Sequence, residues 1–404
     1  MICVRTVVQI SVVLAMLAAS SMSSPATTGT TDARTQLAKR VVDVLAAENM
    51  AGRGNGAPEL VKAGELIVGW MKEEGVKPGS KEEWLQRFSG PNQEALANVV
   101  GMIAGTGKEW IVVGAHYDGL GAGHPGADDN ASGIAALLQI ASRIAQEQNL
   151  ARSVYFVAFA GEEIGLLGSR AFVAAPPQPI EDLAAMINLD TVGRIEKDRL
   201  IVFGTGTAQE FPEILRGVNY AFKFDLALSS SGTGASDHTP FFEKGVPVLH
   251  FFSGTNEDYH RSGDVPAKVD AAGIVRIADF AGEVVVNLAG SQAPLTFVPA
   301  GAENLAKKTP STSGPRKVSL GTIPDFAKES GGILLSGVMS KSAAEEAGLQ
   351  PKDLLIEIDG MKLDTIEDFQ AALAAKAPGD RITIRYVREG ETKETAAVLR
   401  ERSH

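Results

Sequence analysis

Apolar residues in the first 290 positions form two patterns that alternate along the chain. Apolar runs with few charged residues, such as ANVVGMIAG, EWIVVGAHYD and RSVYFVAF, predict buried strands. Other segments carry apolar residues at helical spacing, and these are residues 35–47, 58–74, 134–148 and 271–288. The alternation of strands and helices predicts an α/β domain, in which chemistry is expected where strands end.

The first of these strand ends carries a histidine and several carboxylates. His116 and Asp118 follow the strand that begins near Trp110, and a glycine-rich loop then leads to Asp128 and Asp129 before a helix. An imidazole that a carboxylate can orient, together with a pair of acidic side chains, suits a divalent metal such as zinc. The same residues also fit an ordinary turn followed by a helix cap, so both interpretations stay open at this point.

Two adjacent glutamates, Glu162 and Glu163, directly follow the next strand. Neighbouring side chains point in different directions, so one can bind a metal while the other acts as a general base. The alternative is an acidic first turn of a helix that starts near Ile164. Further along, Asp190 ends the apolar run AAMINLD, either as a ligand or as the start of a turn, and His260 lies in the polar loop NEDYHRSGD.

Structural or solvated positions are predicted for most of the other polar residues of interest. His250 lies within an apolar strand and is predicted to be a core residue, whereas His124 and His404 are predicted to be solvated. Arg53 lies in the glycine-rich segment AENMAGRGNGAP, which is predicted to be a surface loop. His238 begins a short helix after a Ser/Gly loop, where it either contacts a substrate or caps the helix.

Composition narrows the class of protein. The chain has 404 residues, of which 44% are apolar and 22% charged, and this is typical of a soluble globular protein with two domains. Acidic residues outnumber basic ones by 49 to 38, which gives a net charge of −11, and no basic stripe interleaved with aromatic residues is present. Nucleic acids and anionic membranes are therefore excluded as partners.

Residues 1–26 have the pattern of a secretory signal peptide. Arg5 precedes an apolar run over residues 7–19, and small residues follow it. The run is shorter than the roughly 20 residues that span a bilayer, so we expect a secreted or periplasmic protein without stable membrane insertion after signal removal. The only cysteine, Cys3, lies in this segment. The mature chain therefore has no disulfide, and a metal must be held by histidines and carboxylates.

Six motifs together resemble peptidase family M28, the zinc aminopeptidases, over Leu37 to Gly290. The motifs GAHYD, GADDNASG, GEEIGLLGS, NLD, SDHTPF and EDYHRSGD occur in the order and at the spacing of that family. The resemblance implies a three-layer α/β/α domain of the zinc-exopeptidase type, over residues 35–290, with a central mixed, mostly parallel sheet. It also implies two Zn²⁺ ions per chain and an activity on peptides with a free N-terminus.

The resemblance further implies a role for each site residue. Asp129 bridges the two ions, one ion adds His116 and Asp190, and the other adds Glu163 and His260. Glu162 accepts a proton from the water held between the ions, Asp118 orients His116, and Asp128 has a supporting role beside Asp129. Tyr259 either stabilises an oxyanion through its hydroxyl or packs beside His260.

The C-terminal part of the chain predicts a linker and a second domain. Residues 291–317 are rich in Pro, Thr, Ser, Gly and Lys and lack periodicity, which is typical of a linker. Residues 318–402, with the motifs VSLGTIPDF and SAAEEAGLQPKDLLIEIDG, resemble a small, mainly-β PDZ domain. Such domains bind a peptide at a sheet edge, but Pro324 in the predicted binding loop has no N–H to donate. A peptide ligand and an intramolecular role, packing on or gating the first domain, both stay open.

The leading hypothesis is a secreted di-zinc metallo-exopeptidase that removes N-terminal residues from peptides. A glutaminyl-cyclase-like acyltransferase on the same scaffold is a second enzymatic hypothesis, and release of a free amino acid would separate the two. A third hypothesis is a peptide-binding scaffold that acts through its PDZ domain. Metal analysis and replacement of Glu162 would test it.

Overall fold

The structure is a computed structural model that describes residues 28–80, 83–299, 318–324, 331–339, 341–374 and 376–401. The predicted signal peptide with Cys3, His404 and most of the predicted linker lie outside the described residues. Among the described residues, no helix combines the length and the apolar character needed to cross a bilayer.

A nine-stranded mixed sheet forms the centre of the N-terminal domain, residues 28–299. Its strands are β1 (Lys77–Pro78), β2 (Leu85–Ser89), β3 (Ala95–Ile103), β4 (Trp110–His116), β5 (Ser153–Phe159), β6 (Leu183–Leu189), β7 (Arg199–Phe203), β8 (Asp225–Leu228) and β9 (Val248–Phe252). Their order is β1-β3-β5-β4-β6-β9-β7-β8, with β2 paired to β3. The four middle strands, β5, β4, β6 and β9, run parallel, so their carboxyl ends meet at one edge of the sheet.

Helices cover both faces of this sheet. They are α1 (Thr28–Leu45), α2 (Pro58–Glu73), α3 (Gly133–Ile144), α4 (Leu167–Ala174), α5 (Phe211–Phe222), α6 (His238–Glu243) and α7 (Ala271–Gly290). Alternate residues of β4 point to opposite faces of the sheet. Ile111 belongs to the larger hydrophobic core, which lies under α1, α2, α3, α5 and α7. Val112 belongs to the smaller core on the other face, under α4 and α6. The predicted three-layer α/β/α fold with a mixed sheet is confirmed. Helix α5 was not predicted, and the helix expected near Ile164 begins at Leu167.

Two glycine-rich loops interlock beside the carboxyl end of β4. The loop around Gly52 lies so close to the loop around Gly121 that a Cβ on Gly52 would approach the Gly121 carbonyl oxygen to 2.0 Å. The Gly121 N–H donates to the Gly52 carbonyl at 3.2 Å, and Gly119 bonds in the same way to the carbonyl of Arg53. Gly52 also has a φ of 66°, which favours glycine. The glycines of AENMAGRGNGAP therefore serve this close approach, and the prediction of a surface loop was wrong.

Arg53 is fully buried in this contact, and its guanidinium binds only main-chain carbonyls. Its Nη1 donates to Leu45 at 2.5 Å and to Pro125 at 2.9 Å, and its Nε and Nη2 each donate at 2.9 Å, to Tyr117 and Gly126 respectively. One side chain thus ties the end of α1 to the segment that follows β4 and to the loop that precedes α3.

The C-terminal domain is small and mainly β, as predicted. Its strands are β10 (Val318–Ser319), β11 (Thr322–Pro324), β12 (Ile333–Val338), β13 (Leu354–Ile358), β14 (Met361–Lys362), β15 (Arg381–Arg388), β16 (Glu391–Val398) and β17 (Arg400–Glu401), with short helices α8 (Ala343–Glu346) and α9 (Ile366–Ala374). Strand β11 pairs with β12 and lies at the end of the sheet order β11-β12-β13-β15-β16. Pro324 therefore occupies an edge strand, where a missing N–H is tolerated.

The predicted linker begins with residues that belong structurally to the N-terminal domain. The Val298 N–H donates to the Thr207 carbonyl at 2.8 Å, and the Phe297 ring lies 5.8 Å from the ring of Phe242. Arg152, which is buried, donates to the Ala293 carbonyl at 2.7 Å. The contacts of the N-terminal domain thus continue beyond residue 290.

Replacing Arg53 is expected to destabilise the N-terminal domain. In Arg53→Met four buried carbonyls lose a donor, and we expect the free energy of unfolding to fall by about 3 kcal/mol or more. In Arg53→Lys we expect a smaller loss of stability than in Arg53→Met but not full stability, because an ammonium group does not reach as many carbonyls as a guanidinium. Urea unfolding followed by tryptophan fluorescence measures this, since Trp70, Trp84 and Trp110, the only tryptophans, all lie in this domain.

The matched control is Arg216→Met on α5, where the arginine is exposed and pairs only with Glu213. The control should unfold at the urea concentration of the unmodified protein. If Arg53→Met also unfolds at the urea concentration of the unmodified protein, the hydrogen bonds of Arg53 contribute nothing to stability.

Candidate active site

Histidines and carboxylates from five separate segments converge where the parallel strands end. His116 is the last residue of β4 and Asp190 follows β6 directly, while the glutamate pair follows β5. Asp129 comes from the turn before α3, and His260 comes from the loop between β9 and α7. All five residues predicted as metal ligands are thereby brought together, although up to 144 residues of sequence, from position 116 to position 260, separate them.

The first of two ligand sets consists of His116, Asp129 and Asp190. The His116 Nε2 lies 3.2 Å from Asp129 Oδ1 and 3.4 Å from Asp190 Oδ1. The His116 side chain is only 1% exposed and the Asp190 side chain 13%, so this half of the cluster is largely shielded from solvent.

The second set consists of Asp129, Glu163 and His260. The His260 Nε2 lies 3.0 Å from Asp129 Oδ2 and 3.7 Å from Glu163 Oε2. Asp129 therefore belongs to both sets and presents a different oxygen to each histidine. In each set, one ligand atom from every residue lies within 4.8 Å of the others.

The turn that carries Asp129 is fixed by its neighbours. The Asp264 carboxylate accepts the backbone N–H groups of Asp128 at 2.8 Å and of Asp129 at 3.0 Å. The Asp128 carboxylate points away from the ligand sets and accepts from the Gly193 N–H at 2.7 Å and the Asn256 amide at 3.1 Å. Asp128 thus supports the turn beside Asp129 and belongs to neither set.

Asp118 contacts His116 and also fixes the glutamate pair. The His116 Nδ1 lies 3.3 Å from the Asp118 carbonyl oxygen and 3.7 Å from its carboxylate. The carboxylate instead accepts the N–H groups of Glu162 at 3.1 Å and Glu163 at 3.3 Å, together with the Asn55 amide at 2.8 Å. Asn55, which was not predicted, connects the interlocked glycine loops to the site.

Hydroxyl groups hold the Asp190 carboxylate. Ser236 donates to its Oδ2 at 2.7 Å and Thr191 to its Oδ1 at 3.0 Å. Asn188 in turn donates to the Ser236 hydroxyl at 2.8 Å and contacts the His250 ring at 3.0 Å. His250 is 6% exposed, so its predicted place in the core is confirmed.

The electrostatics of the cluster show an excess of buried negative charge. Burial and the neighbouring carboxylate of Asp129 raise the pKa of Glu163 to about 8, although His260 opposes this. Burial also raises the pKa of Glu162 well above its usual range, and Glu163 and Asp190 add to the effect while His116 opposes it. The cluster therefore favours the protonated form of its carboxyl groups unless further positive charge is present.

The same negative charges also raise the pKa of the two imidazoles, and they thereby favour the charged form of each ring. Burial disfavours a charged His116, but Asp190 and Glu162 outweigh burial and raise its pKa well above the usual range. For His260 burial is outweighed by Asp129 and Glu163, which raise its pKa to about 9. Divalent cations would supply the missing charge, and a donor set of imidazole nitrogens and carboxylate oxygens suits zinc. The residues present therefore fit two such ions.

Three predictions for the aromatic side chains have different outcomes. His124 was predicted to be solvated, which was wrong: it is half-buried, and its Nδ1 is buried without a partner among the described residues. His238 does not cap α6, since it is buried and stacks on His250 with 4.6 Å between ring centroids. The Tyr259 ring packs on the His260 ring with 3.9 Å between ring centroids, in agreement with the packing alternative.

A small cleft opens on the second ligand set. Asp129, Glu163 and His260 line it, and so do His124 and Arg261. The His260 side chain is 33% exposed, so this half of the cluster is open where the His116 half is largely shielded.

Comparison with known proteins agrees with this architecture. Residues 98–285 match the sequence model of peptidase family M28, and residues 320–399 match that of the PDZ domain. Aminopeptidase YwaD of Bacillus subtilis is 30% identical over 203 residues, which are 48% of this chain and 44% of that protein.

Two solved structures share the fold. BSAP, a zinc aminopeptidase from Bacillus subtilis, superposes with a TM-score of 0.55 at 18% identity, over 65% of this chain and 98% of that one. The glutaminyl cyclase of Porphyromonas gingivalis superposes with a TM-score of 0.52 at 18% identity, over 64% of this chain and 98% of that one. The chain spans about half the length of the curated relatives that it matches. From the matched residues, residues 98–285 form a domain of peptidase family M28, and residues 320–399 form a PDZ domain.

Proposed function

We propose that the protein is a zinc-dependent aminopeptidase that uses two Zn²⁺ ions to hydrolyse the N-terminal peptide bond of its substrates. The observation that carries this proposal is the shared Asp129 carboxylate, which presents one oxygen to the His116 set and the other to the His260 set. The names of the relatives, an aminopeptidase and a zinc aminopeptidase, support the same reaction.

The proposed ligands are His116 and Asp190 for one ion, Glu163 and His260 for the other, and Asp129 for both. Zinc bound by these residues would supply a Lewis acid for the scissile carbonyl and would lower the pKa of a bound water molecule towards neutrality. Glu162 is the proposed base. Its pKa is raised by burial and by Glu163 and Asp190, so the carboxylate accepts a proton more readily than an exposed glutamate does.

Backbone contacts give Glu162 its position. Its N–H donates to the Asp118 carboxylate, and so does the N–H of Glu163. The carboxylate of Asp118 therefore positions both the proposed base, Glu162, and the proposed ligand, Glu163. Asp118 is thus the proposed positioning residue for both, beside its contact with His116.

A metal ion held at this site supports a preference for a free amino terminus. A free α-amine could replace a solvent ligand on a bound zinc ion, whereas an acetylated amine could not. The His260 half, whose imidazole side chain is 33% exposed, is the side from which a substrate reaches the cluster.

Export and the role of the PDZ domain form part of the proposal. The predicted signal peptide, residues 1–26, supports a secreted or periplasmic enzyme that has no stable membrane insertion once the signal is removed. The edge position of β11 supports binding of an extended peptide, or of another segment of this chain, along the PDZ sheet.

A panel of aminoacyl substrates tests the proposed reaction. With zinc present we expect hydrolysis of substrates with a free amine, and we expect N-acetylation or a chelator to abolish it. Products are identified by mass spectrometry, because a cyclase acting on an N-terminal glutamine would form pyroglutamate instead of releasing a free amino acid. Turnover that survives both acetylation and chelation would contradict the proposal.

The Glu162→Gln variant tests the proposed base. We expect kcat to fall by about 10²- to 10⁴-fold, because an amide accepts no proton at neutral pH. The zinc content should stay that of the unmodified protein, since Glu162 belongs to neither ligand set. Glu213→Gln, at an exposed position on α5, is the control and should retain full activity. Unchanged kcat in Glu162→Gln would remove this residue from the mechanism.

Zinc binding is expected to release protons and to strengthen as pH rises. Without metal, His260 has a pKa of about 9 and Glu163 of about 8, so both carry a proton at neutral pH and must lose it to bind an ion. Calorimetric titration of the metal-free protein in two buffers of different ionisation enthalpy gives the number of protons released, and the same titration gives the stoichiometry. A zinc affinity that does not change between pH 6 and pH 9 would contradict this assignment.

A further inference from the structure

The open half of the cluster has a cation beside it that has no partner. Arg261 directly follows the ligand His260, is half-buried, and lines the same cleft as Glu163 and His260. Among the described residues, its guanidinium makes neither an ion pair nor a side-chain hydrogen bond. Arg194 gives the contrast, since it pairs with Asp258 at 2.7 Å and with Asn256 at 3.0 Å.

A second unsatisfied group lines the same cleft. The Nδ1 atom of His124 is buried and has no hydrogen-bond partner among the described residues. An imidazole nitrogen and a guanidinium without partners are both able to donate to an anion. The lining of the cleft thus includes metal-ligand carboxylates together with two groups that have no hydrogen-bond partner among the described residues.

Access to the cluster differs between its two halves. The His116 side chain is 1% exposed and the His260 side chain 33% exposed. A peptide therefore reaches the cluster from the His260 half, where Arg261 lines the cleft.

We propose that Arg261 binds the C-terminal carboxylate of short peptides, so that dipeptides are the preferred substrate class. The inference rests on the proposed aminopeptidase function. In a dipeptide the carboxylate carbon lies about 2.5 Å from the scissile nitrogen, and each added residue moves it by up to about 3.5 Å. A guanidinium and a carboxylate form two parallel hydrogen bonds, which a carboxamide does not reproduce. His124 is the second donor for the same group.

The test compares leucyl-leucine with leucyl-leucinamide on the zinc-loaded full chain, for the unmodified protein and for Arg261→Gln. We expect the variant to lose about 10- to 100-fold in kcat/KM for the dipeptide, mostly through KM, and to lose little for the amide. The kcat/KM of Arg261→Lys for the dipeptide should lie between those of the unmodified protein and Arg261→Gln, because lysine keeps the charge but not the paired hydrogen bonds. An equal loss on both substrates, or no loss on either, overturns the proposal.

Arg216→Gln on α5 is the matched control for removal of a guanidinium, and it should leave both rates unchanged. Circular dichroism melting of Arg261→Gln checks the fold; because this side chain has no partner in the described residues, the melting temperature should not move.

A binding measurement separates this inference from the proposed function. A leucyl-leucine analogue with a reduced, uncleavable central bond is titrated by calorimetry into the zinc-loaded protein, as the free carboxylate and as the carboxamide. Tighter binding of the carboxylate, lost in Arg261→Gln, supports the role of Arg261 even if the unmodified protein hydrolyses neither peptide, in which case only the proposed function fails. Equal binding of the two analogues overturns the role of Arg261.

Discussion

The main constraint on this structure is a cluster of buried carboxylates at the carboxyl ends of the parallel strands. Asp118, Asp128, Asp129 and Asp190 are all buried there. Uncompensated burial of one such charge costs several kcal/mol, so each carboxylate must find donors. Each of the four does: main-chain N–H groups, hydroxyls, an amide or an imidazole contact every one of them.

Arg53 supplies positive charge near these carboxylates without forming a hydrogen bond to any of them. Its hydrogen bonds all end on carbonyls, yet its charge lies near Asp118 and Asp129, and these carboxylates oppose the effect of burial on its pKa. Binding the backbone leaves the ligand oxygens free to face the two histidines.

The fold and the five residues that converge could be predicted from the sequence, because several of them follow local signals and because their motifs resemble a known family. His116, Glu163 and Asp190 each follow an apolar run, and parallel strands bring such positions together. Arg53 and Asn55 could not be placed, because their partners at Tyr117 and Asp118 lie more than 60 residues away and a glycine-rich segment usually indicates a loop. The density of glycine around Arg53 was the one available signal. Helix α5 was missed although three of its residues, Phe211, Leu215 and Val218, are buried.

The interleaved strand order has a consequence for how the chain reaches its final state. Neighbours in the sheet follow the order β5-β4-β6-β9, so β4 gains its second partner only when β6 docks, and the His260 segment arrives after β9. A nascent chain that stops before residue 260 holds Asp129 with one of its two imidazoles. Completion of the acidic pocket therefore requires all nine strands of the sheet. A cation bound by all five residues would stabilise the finished sheet and would not act as a nucleus for its folding.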